Sequence, residues 1–490
     1  MKALKNIVLL ILISNGVSAQ TIFQGIAFPV ANGGIYGSFR PRLTLDRSGD
    51  PVVLWGSNIG GYKGFTATWN GSGFNLPFRI HPTSIIANNV ESPQITSYGD
   101  TVHVVYSLSP AMSQKVRIRS SIDGGNTWGE PVAVDSLNTQ NEIATFPSVT
   151  TDSNGHPIVV FMRQNMDYSN PRYVIRRSEN LGATFLPIVD ATGQAPGNEA
   201  CDCCFSSIYM PTVNEVIIPF RRNANNTRDM WASRSTDGGL SFAHAIDLDS
   251  TDWFIPACPS SGPVALFFGD SILTAFMSEG GDGFPRIYLS LAQRDSSVAF
   301  WNDTLAIAGG TSIAQNHPTL AGIGDTLGIA FEHNTGTDND IYFAWSTTGI
   351  SGLLACQPIP VGAGSANQRT PDLKFKNGLF HLVYADNATG NVIYKQLAFS
   401  PLVSMEHQQS KSLNVYPNPS HLHFRVQWSE VAPFNSELTL TNSLGQVVRR
   451  LDVSGMEGIT LEQGGLSGGI YFLQLRGSNR LNGYVRVVLQ

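Results

Sequence analysis

Ser121-Ile122-Asp123-Gly124-Gly125-Asn126-Thr127-Trp128 is the stretch on which the reading of this chain turns. An Asp or Asn that accepts backbone N–H groups, a Gly that takes a positive φ and an aromatic residue that packs beneath encode a tight turn between two strands. The octet returns as Ser178-Glu179-Asn180-Leu181-Gly182-Ala183-Thr184-Phe185 and as Ser235-Thr236-Asp237-Gly238-Gly239-Leu240-Ser241-Phe242. Asp123 to Asn180 and Asn180 to Asp237 both span 57 positions. Weaker echoes stand at Asp295 and from Ser346 to Gly349. A fixed period of this size marks a stacked or radial array of small structural units.

A second mark recurs beside the first. Pro41, Pro93, Pro147, Pro259, Pro318 and Pro371 each open a short strand that leads through a Gly- or Asp-containing turn into an apolar strand. A seventh start falls near Cys204, so the intervals run from 52 to 59 residues. Each unit reads as four strands, for example Gln94 to Ser97, Val102 to Ser107, Lys115 to Ser120 and Pro131 to Asp135. Four-stranded sheets repeated about an axis make a β-propeller, which protects its edges by closing on itself. The expected fold is all-β, with seven blades favoured and six the alternative. The seventh unit lacks its last strand, and Thr21 to Phe28 can supply it.

Composition agrees with strands and turns. The 490 residues are 42% hydrophobic and 14% charged, with 48 Gly and 27 Pro, which excludes a helical bundle, a coiled coil or an acidic disordered chain. A net charge of -6 carries no basic excess to attract nucleic acid.

The two ends read as addresses. Lys2 and Lys5, the apolar run Ile7 to Ile13 and Val17-Ser18-Ala19 form a signal peptide over residues 1–19, too short to span a bilayer. Residues 20–400 hold the repeats, 401–411 a linker and 412–490 a compact set of short strands. That tail contains Val415-Tyr416-Pro417-Asn418-Pro419, Leu444-Gly445-Gln446-Val447-Val448, Gly468-Gly469-Ile470-Tyr471-Phe472-Leu473 and a last strand, Val485 to Leu489. In this order it resembles the sorting domain of the type IX secretion system, expected to be a small β-sandwich. The resemblance implies passage across an outer membrane by that machinery and a secreted or cell-surface location.

In such a blade the loops from strand 2 to strand 3 share a face with the connections between blades, so the residue before each strand-opening proline borders the central channel. These are Arg40, Ser92, Phe146, the Cys201 to Cys204 cluster, Cys258, His317 and Thr370. Cys201, Cys203, Cys204, Cys258 and His317 can together ligate a soft ion such as copper or zinc. In an oxidising compartment the same thiols can instead pair, including Cys203 with Cys204, or remain inert. Beside them Arg222, Arg228, Asp229 and Trp253, with Arg221, Asp252 and Phe254, form a wall suited to an acidic glycan. The structural alternative is that Arg228 and Asp229 brace the loops. Arg163, Asp167, Tyr168, Glu279, Asp282, Arg286, Glu332 and His333 are further candidates on this face.

The repeated turns resemble the Asp-box, also called the BNR repeat, and with the signal peptide and blades they resemble the sialidase superfamily over residues 21–400. Sialic-acid-cleaving members imply three Arg on the substrate carboxylate, a Tyr nucleophile helped by Glu, and an Asp acid/base. Phe39-Arg40-Pro41 resembles the first-Arg motif without its usual Ile, and no late Tyr has a supporting context. The expected function is a secreted sialidase-like propeller that binds, and as an exo-acting glycoside hydrolase would cleave, extracellular glycans or glycoproteins. The alternatives are a non-catalytic binding propeller and a metal-thiolate protein.

Overall fold

A computed structural model describes residues 22–109, 116–135, 141–192, 199–280, 283–295, 301–304, 313–399, 413–428, 431–432, 436–442, 447–476 and 482–490. The expected signal peptide and Asp282 lie outside these residues. The chain divides into two compact units, residues 1–399 and 400–490.

In the first unit the described strands form seven antiparallel sheets in chain order. The first is Phe39–Leu45, Pro51–Ser57, Lys63–Thr68 and Phe78–Arg79. The second is Gln94–Tyr98, Thr101–Ser107, Val116–Ser121 and Val132–Ala133, within one residue of the expected bounds except at the short outer strand, which ends two residues early. The third runs from Glu142–Thr151 to Val189–Asp190, the fourth from Tyr209–Thr212 to His244–Asp247, and the fifth from Val264–Phe268 to Trp301–Thr304. The sixth runs from Gln315–Ile323 to Ile359–Gly362. The last joins Gln368–Lys376, Leu379–Asp386 and Asn391–Phe399 to Ile22–Gln24, whose Ile22 lies opposite Phe399. The N-terminal segment therefore fills the place that the sequence assigned to Thr21 to Phe28.

Burial explains why the second strands read as continuous apolar runs. Pro51–Ser57 and Glu215–Arg221 are buried at every residue, because both faces of the sheet are covered. Seven apolar cores lie between successive sheets. Leu54, Ile80 and Val104 join the first to the second, and Val105, Val116 and Val159 the second to the third. Ile217, Met230 and Ile272 join the fourth to the fifth. Leu43, Trp55, Val383 and Tyr394 join the last sheet to the first, so the succession is cyclic. A polar stitch reinforces that junction: the Leu43 N–H donates to Asp372 Oδ2 at 2.8 Å.

The three octets adopt one geometry. Asp123 Oδ1 accepts the Thr127 N–H at 2.8 Å, Asn180 Oδ1 that of Thr184 at 2.8 Å, and Asp237 Oδ1 that of Ser241 at 2.9 Å. In each, the Ser at the end of the preceding strand accepts the N–H of the second turn residue in the left-handed region, Gly125, Gly182 or Gly239. Burial opposes ionisation of Asp237, but hydrogen bonds from Ser241, Ser235 and Leu240 outweigh it and pull its carboxyl down to about 2. These acids are committed to turns. One position departs from the pattern: Gly124 and Gly238 stand at φ 72° and 73°, whereas Leu181 holds 57°. Leu181→Gly is expected to stabilise the fold by up to about 1 kcal/mol, because relief of the left-handed strain exceeds the added chain entropy. A thermal melt against wild type checks it, and a lowered Tm would contradict it.

In the second unit, Asn414–Tyr416, His423–Gln427 and Gly458–Glu462 make one antiparallel sheet. Val447–Asp452, Glu437–Asn442, Gly469–Arg476 and Asn482–Leu489 make another. Phe424, Trp428, Leu438, Leu473 and Val487 fill the core they share.

Candidate functional site

Four residues that precede a strand-opening proline hold φ in the left-handed region: Arg40 (41°), Phe146 (51°), His317 (48°) and Thr370 (51°). At each, the pairing of first and second strands shifts, between Phe39 and Arg42, Thr145 and Ser148, Asn316 and Thr319, and Arg369 and Asp372. A bulge re-aims its side chain out of the ladder. A non-glycine residue held at positive φ before proline is strained, and such strain concentrates at functional sites.

Two ring positions differ from the sequence reading. The fourth and fifth sheets open at Tyr209 and Val264, later than Cys204 and Pro259 suggested. In the other sheets a buried apolar residue, Leu43, Ile95, Val149, Leu320 or Leu373, lies two residues after the proline. Ile208 and Ala265 are the matching buried residues, which makes Ser206 and Pro263 the equivalents of the proline. The ring members are thus Phe205 and Gly262. Cys258-Pro259 repeats the local dipeptide inside a loop.

A cavity of about 150 Å³ borders Arg40, Arg42, Phe205, Tyr209, His317 and Asp372. A smaller cleft of about 40 Å³ shares Arg40, His317 and Thr370 with it and adds Asn89, Arg369 and Asn387. That volume holds a few waters or one carboxylate or sulfate group, not a whole sugar ring. Arg40 is 3% exposed, donates from Nη1 to the Asn89 carbonyl at 2.8 Å, and lies 4.6 Å over the Phe205 ring. Among the described residues it has no carboxylate within ion-pair distance. Glu332 is engaged elsewhere, accepting the Thr370 N–H at 2.7 Å and facing Arg369 at 3.6 Å and His317 at 3.9 Å.

Burial, with Arg42 and Arg369 adding to it against the pull of Glu332, lowers Arg40 to about 9. Burial first, then Arg40, Arg369 and Arg42, hold His317 well below its ordinary value, so its ring is neutral. Its Nδ1 has no hydrogen-bond partner among the described residues. Burial raises the Glu332 carboxyl, partly offset by Arg369 and the Thr370 N–H. Arg40, His317, Glu332 and Thr370 were legible in the sequence. Arg369 was missed although it adjoins Thr370-Pro371, and Asn89 and Asn387 carry no local signal.

The Arg wall folds inward. Arg222 forms a two-pronged pair with Asp229, at 2.9 Å from Nε to Oδ1 and 2.6 Å from Nη2 to Oδ2, and Trp231 Nε1 donates to the same carboxylate at 3.0 Å. Trp253 is buried in the core between the fifth and sixth sheets, with the Arg221 guanidinium 5.3 Å over its ring. Phe254, 66% exposed, is the aromatic residue left facing solvent there. Arg228 turns to the cysteines instead, donating to Cys201 Sγ at 2.9 Å and Asp202 Oδ1 at 3.2 Å. Arg222 and Asp229 are thus paired with each other, and Trp253 is packed in the core. Arg163 likewise pairs with buried Asp135 at 2.9 Å. Tyr168 and Asp167 are exposed, and His333 packs against Tyr342 with ring centroids 4.1 Å apart and the planes tilted by 38°.

Cys203 and Cys258 form a disulfide, in place of the Cys203–Cys204 bridge considered from sequence. Cys201 and Cys204 are buried thiols with their Sγ atoms 2.7 Å apart, and Cys356 is a third free cysteine. The sulfurs of Cys201, Cys203 and Cys204 lie within 4.8 Å of one another. His317 does not join them. With Cys203 bonded, two thiols remain, short of the four ligands of a structural zinc site.

Glu91, beside the ring residue Ser92, was also missed. It is 6% exposed, and burial raises its carboxyl to about 7 despite the Ser107 hydroxyl and the Phe146 backbone. Below pH 4.5, its ordinary value, both folded and unfolded chains hold the proton. From there to about 7 the folded chain keeps a proton that the unfolded chain releases, so stability falls as pH rises. The span is on the order of 3 kcal/mol. Glu91→Gln is expected to match wild type in Tm near pH 4.5 and to exceed it by several degrees at pH 8; equal melts at both pH values would contradict this.

Residues 414–490 match the family model described as the secretion system C-terminal sorting domain. No curated protein matches the chain in sequence. Among solved structures, a protein of unknown function from Dyadobacter fermentans is 9% identical, with 77% of this chain and 99% of that one covered at a TM-score of 0.47. An ulvan lyase of polysaccharide lyase family PL25 is 9% identical, with 76% and 95% covered at 0.47. The α-L-arabinanase of Penicillium chrysogenum is 14% identical, with 77% and 98% covered at 0.41. The last 77 residues of this chain are therefore a type IX secretion sorting domain, and the protein is exported by that machinery to the cell surface or beyond.

Proposed function

We propose that residues 22–399 are a seven-bladed, sialidase-like Asp-box propeller that binds an acidic extracellular glycan through a carboxylate or sulfate group. The observation that carries this reading is Arg40. A buried guanidinium with no carboxylate at hand is costly unless an anion completes it, and Arg40 lies on a cleft sized for one such group beside Arg369. In this reading the ligand sits on Arg40, at the junction of the sixth, seventh, first and second sheets, rather than on the Arg222 and Arg228 wall. Asn89 and Asn387 line the same cleft and can bond the hydroxyls that flank the acidic group.

Glycan-array binding followed by calorimetry tests it. Sialylated, uronate-terminated or sulfated glycans are expected to bind, and Arg40→Gln should weaken the best of them about 100-fold by removing a charge-assisted contact. Binding confined to neutral glycans, or an Arg40→Gln variant that binds as wild type does, would sink the proposal. A hydrolytic reading is favoured by one observation, the buried Glu332 carboxyl, whose raised pKa suits a general acid. Cleavage of a fluorogenic glycoside, abolished in Glu332→Gln, would support it.

A further inference from the structure

Four sulfurs form a continuous line from solvent into the fold. Cys258 is exposed and bonded to half-buried Cys203. Cys203 Sγ is 3.6 Å from Cys201 Sγ, and Cys201 Sγ is 2.7 Å from Cys204 Sγ. That last separation is inside the roughly 3.5–4 Å at which unbonded heavy atoms pack. Cys201 and Cys204 also have the Cys-x-x-Cys spacing used for dithiol chemistry. The Arg228 guanidinium touches both sides of the next junction, 2.9 Å from Cys201 Sγ and 3.8 Å from Cys203 Sγ. A cation there favours a thiolate on whichever sulfur is displaced. Tyr173 pins the far end, its hydroxyl donating to the Cys204 carbonyl at 2.5 Å.

We propose that this line is a thiol–disulfide relay through which the buried Cys201/Cys204 dithiol reduces an external disulfide at the exposed Cys203–Cys258 position. In the first step the Cys201 thiolate attacks Cys203 Sγ, the Cys203–Cys258 bond breaks, and Cys258 leaves as a thiolate that takes a proton. In the second, Cys204 attacks Cys201 Sγ, forming Cys201–Cys204 and releasing Cys203. Two thiol protons leave one pair and two arrive on the other, with no net oxidation. The half-buried Cys203 and exposed Cys258 thiols then reduce a small-molecule or protein disulfide, R–S–S–R, to two R–SH and re-form their own bond. The two electrons have passed from the buried pair to the partner.

The test uses the whole mature protein, adjusted with limiting dithiothreitol to one disulfide per four cluster cysteines. N-ethylmaleimide then traps free thiols in the folded state, and peptide mass spectrometry assigns the pairs. The relay requires label accumulating with time on Cys203 and Cys258 in molecules cross-linked at Cys201–Cys204. Cys204→Ser should slow Cys203 labelling about tenfold or more, because the second exchange has lost its attacking thiolate, while Cys258, freed in the first exchange, is still labelled. Cys356→Ser, outside the line, should leave it unchanged and controls for folding. A cross-link found at Cys203–Cys258 at all times, with no label on Cys258, would overturn the relay. So would a stoichiometric metal ion that blocks Cys201 and Cys204 in the native protein.

Discussion

Gly262→Ala is expected to lower the Tm by many degrees and to cost about 3 kcal/mol or more, the upper range for forcing atoms into a packed interior. A Cβ built at Gly262 would sit 2.0 Å from the Phe205 carbonyl oxygen and 3.0 Å from both its carbonyl carbon and its ring. The obstruction is backbone, which no rotamer change relieves. Because Phe205 is the ring over which Arg40 lies, the displacement should reach the cleft as well. The variant should lose affinity for the anionic ligand as it loses stability. A melt indistinguishable from wild type would mean that the two backbones do not approach as described. Gly280→Ala, whose Cβ would meet the Thr251 carbonyl oxygen at 2.6 Å, is a milder companion remote from the cleft.

The second large effect concerns adjacent arginines that look interchangeable in the chain. Arg221 has no exposed surface, and its guanidinium donates to three backbone carbonyls, Ser261 at 3.0 Å, Arg228 at 2.7 Å and Met277 at 2.6 Å. Arg221→Met keeps most of the volume but strands three buried acceptors, for an expected loss of about 4 kcal/mol. Arg222→Met removes one ion pair, and Asp229 retains the Trp231 N–H. Its expected loss is smaller, about 2 kcal/mol. Neither should abolish anion binding at Arg40 in the protein that folds. Paired thermal melts with a calorimetric titration check both halves. An Arg221→Met protein as stable as wild type would show that those carbonyls find other donors, and loss of binding in folded Arg222→Met would return the ligand to that wall.

Much of this molecule was legible because its physics is local and repeated. The octet around Asp123 carries its own hydrogen-bond acceptor and its own glycine, so its turn can be recognised without knowing what surrounds it. Strand-opening prolines fix φ and remove a donor at a constant place in the repeat, which is why Arg40, His317 and Thr370 could be assigned to one ring. The tail was legible for the same reason, as ordered short motifs ending in an apolar strand.

The partners were not legible. Sequence reveals that Arg222, Arg228 and Asp229 are charged, but not that Asp229 accepts both prongs of Arg222 while Arg228 points at a thiol. Cys258-Pro259 imitated a strand start because a dipeptide repeats cheaply, and only the burial of Ala265 moved the true start to Pro263. Residues 49 to 347 positions apart, Asn89 with Arg40 and Arg40 with Asn387, share a cleft only once the cyclic sheets have closed. Local hydrogen bonding and backbone preference thus determined the sheets, the turns and the export tail from sequence alone. The tertiary structure decided which charges remain unspent, since that depends on which distant group arrives first to neutralise each one.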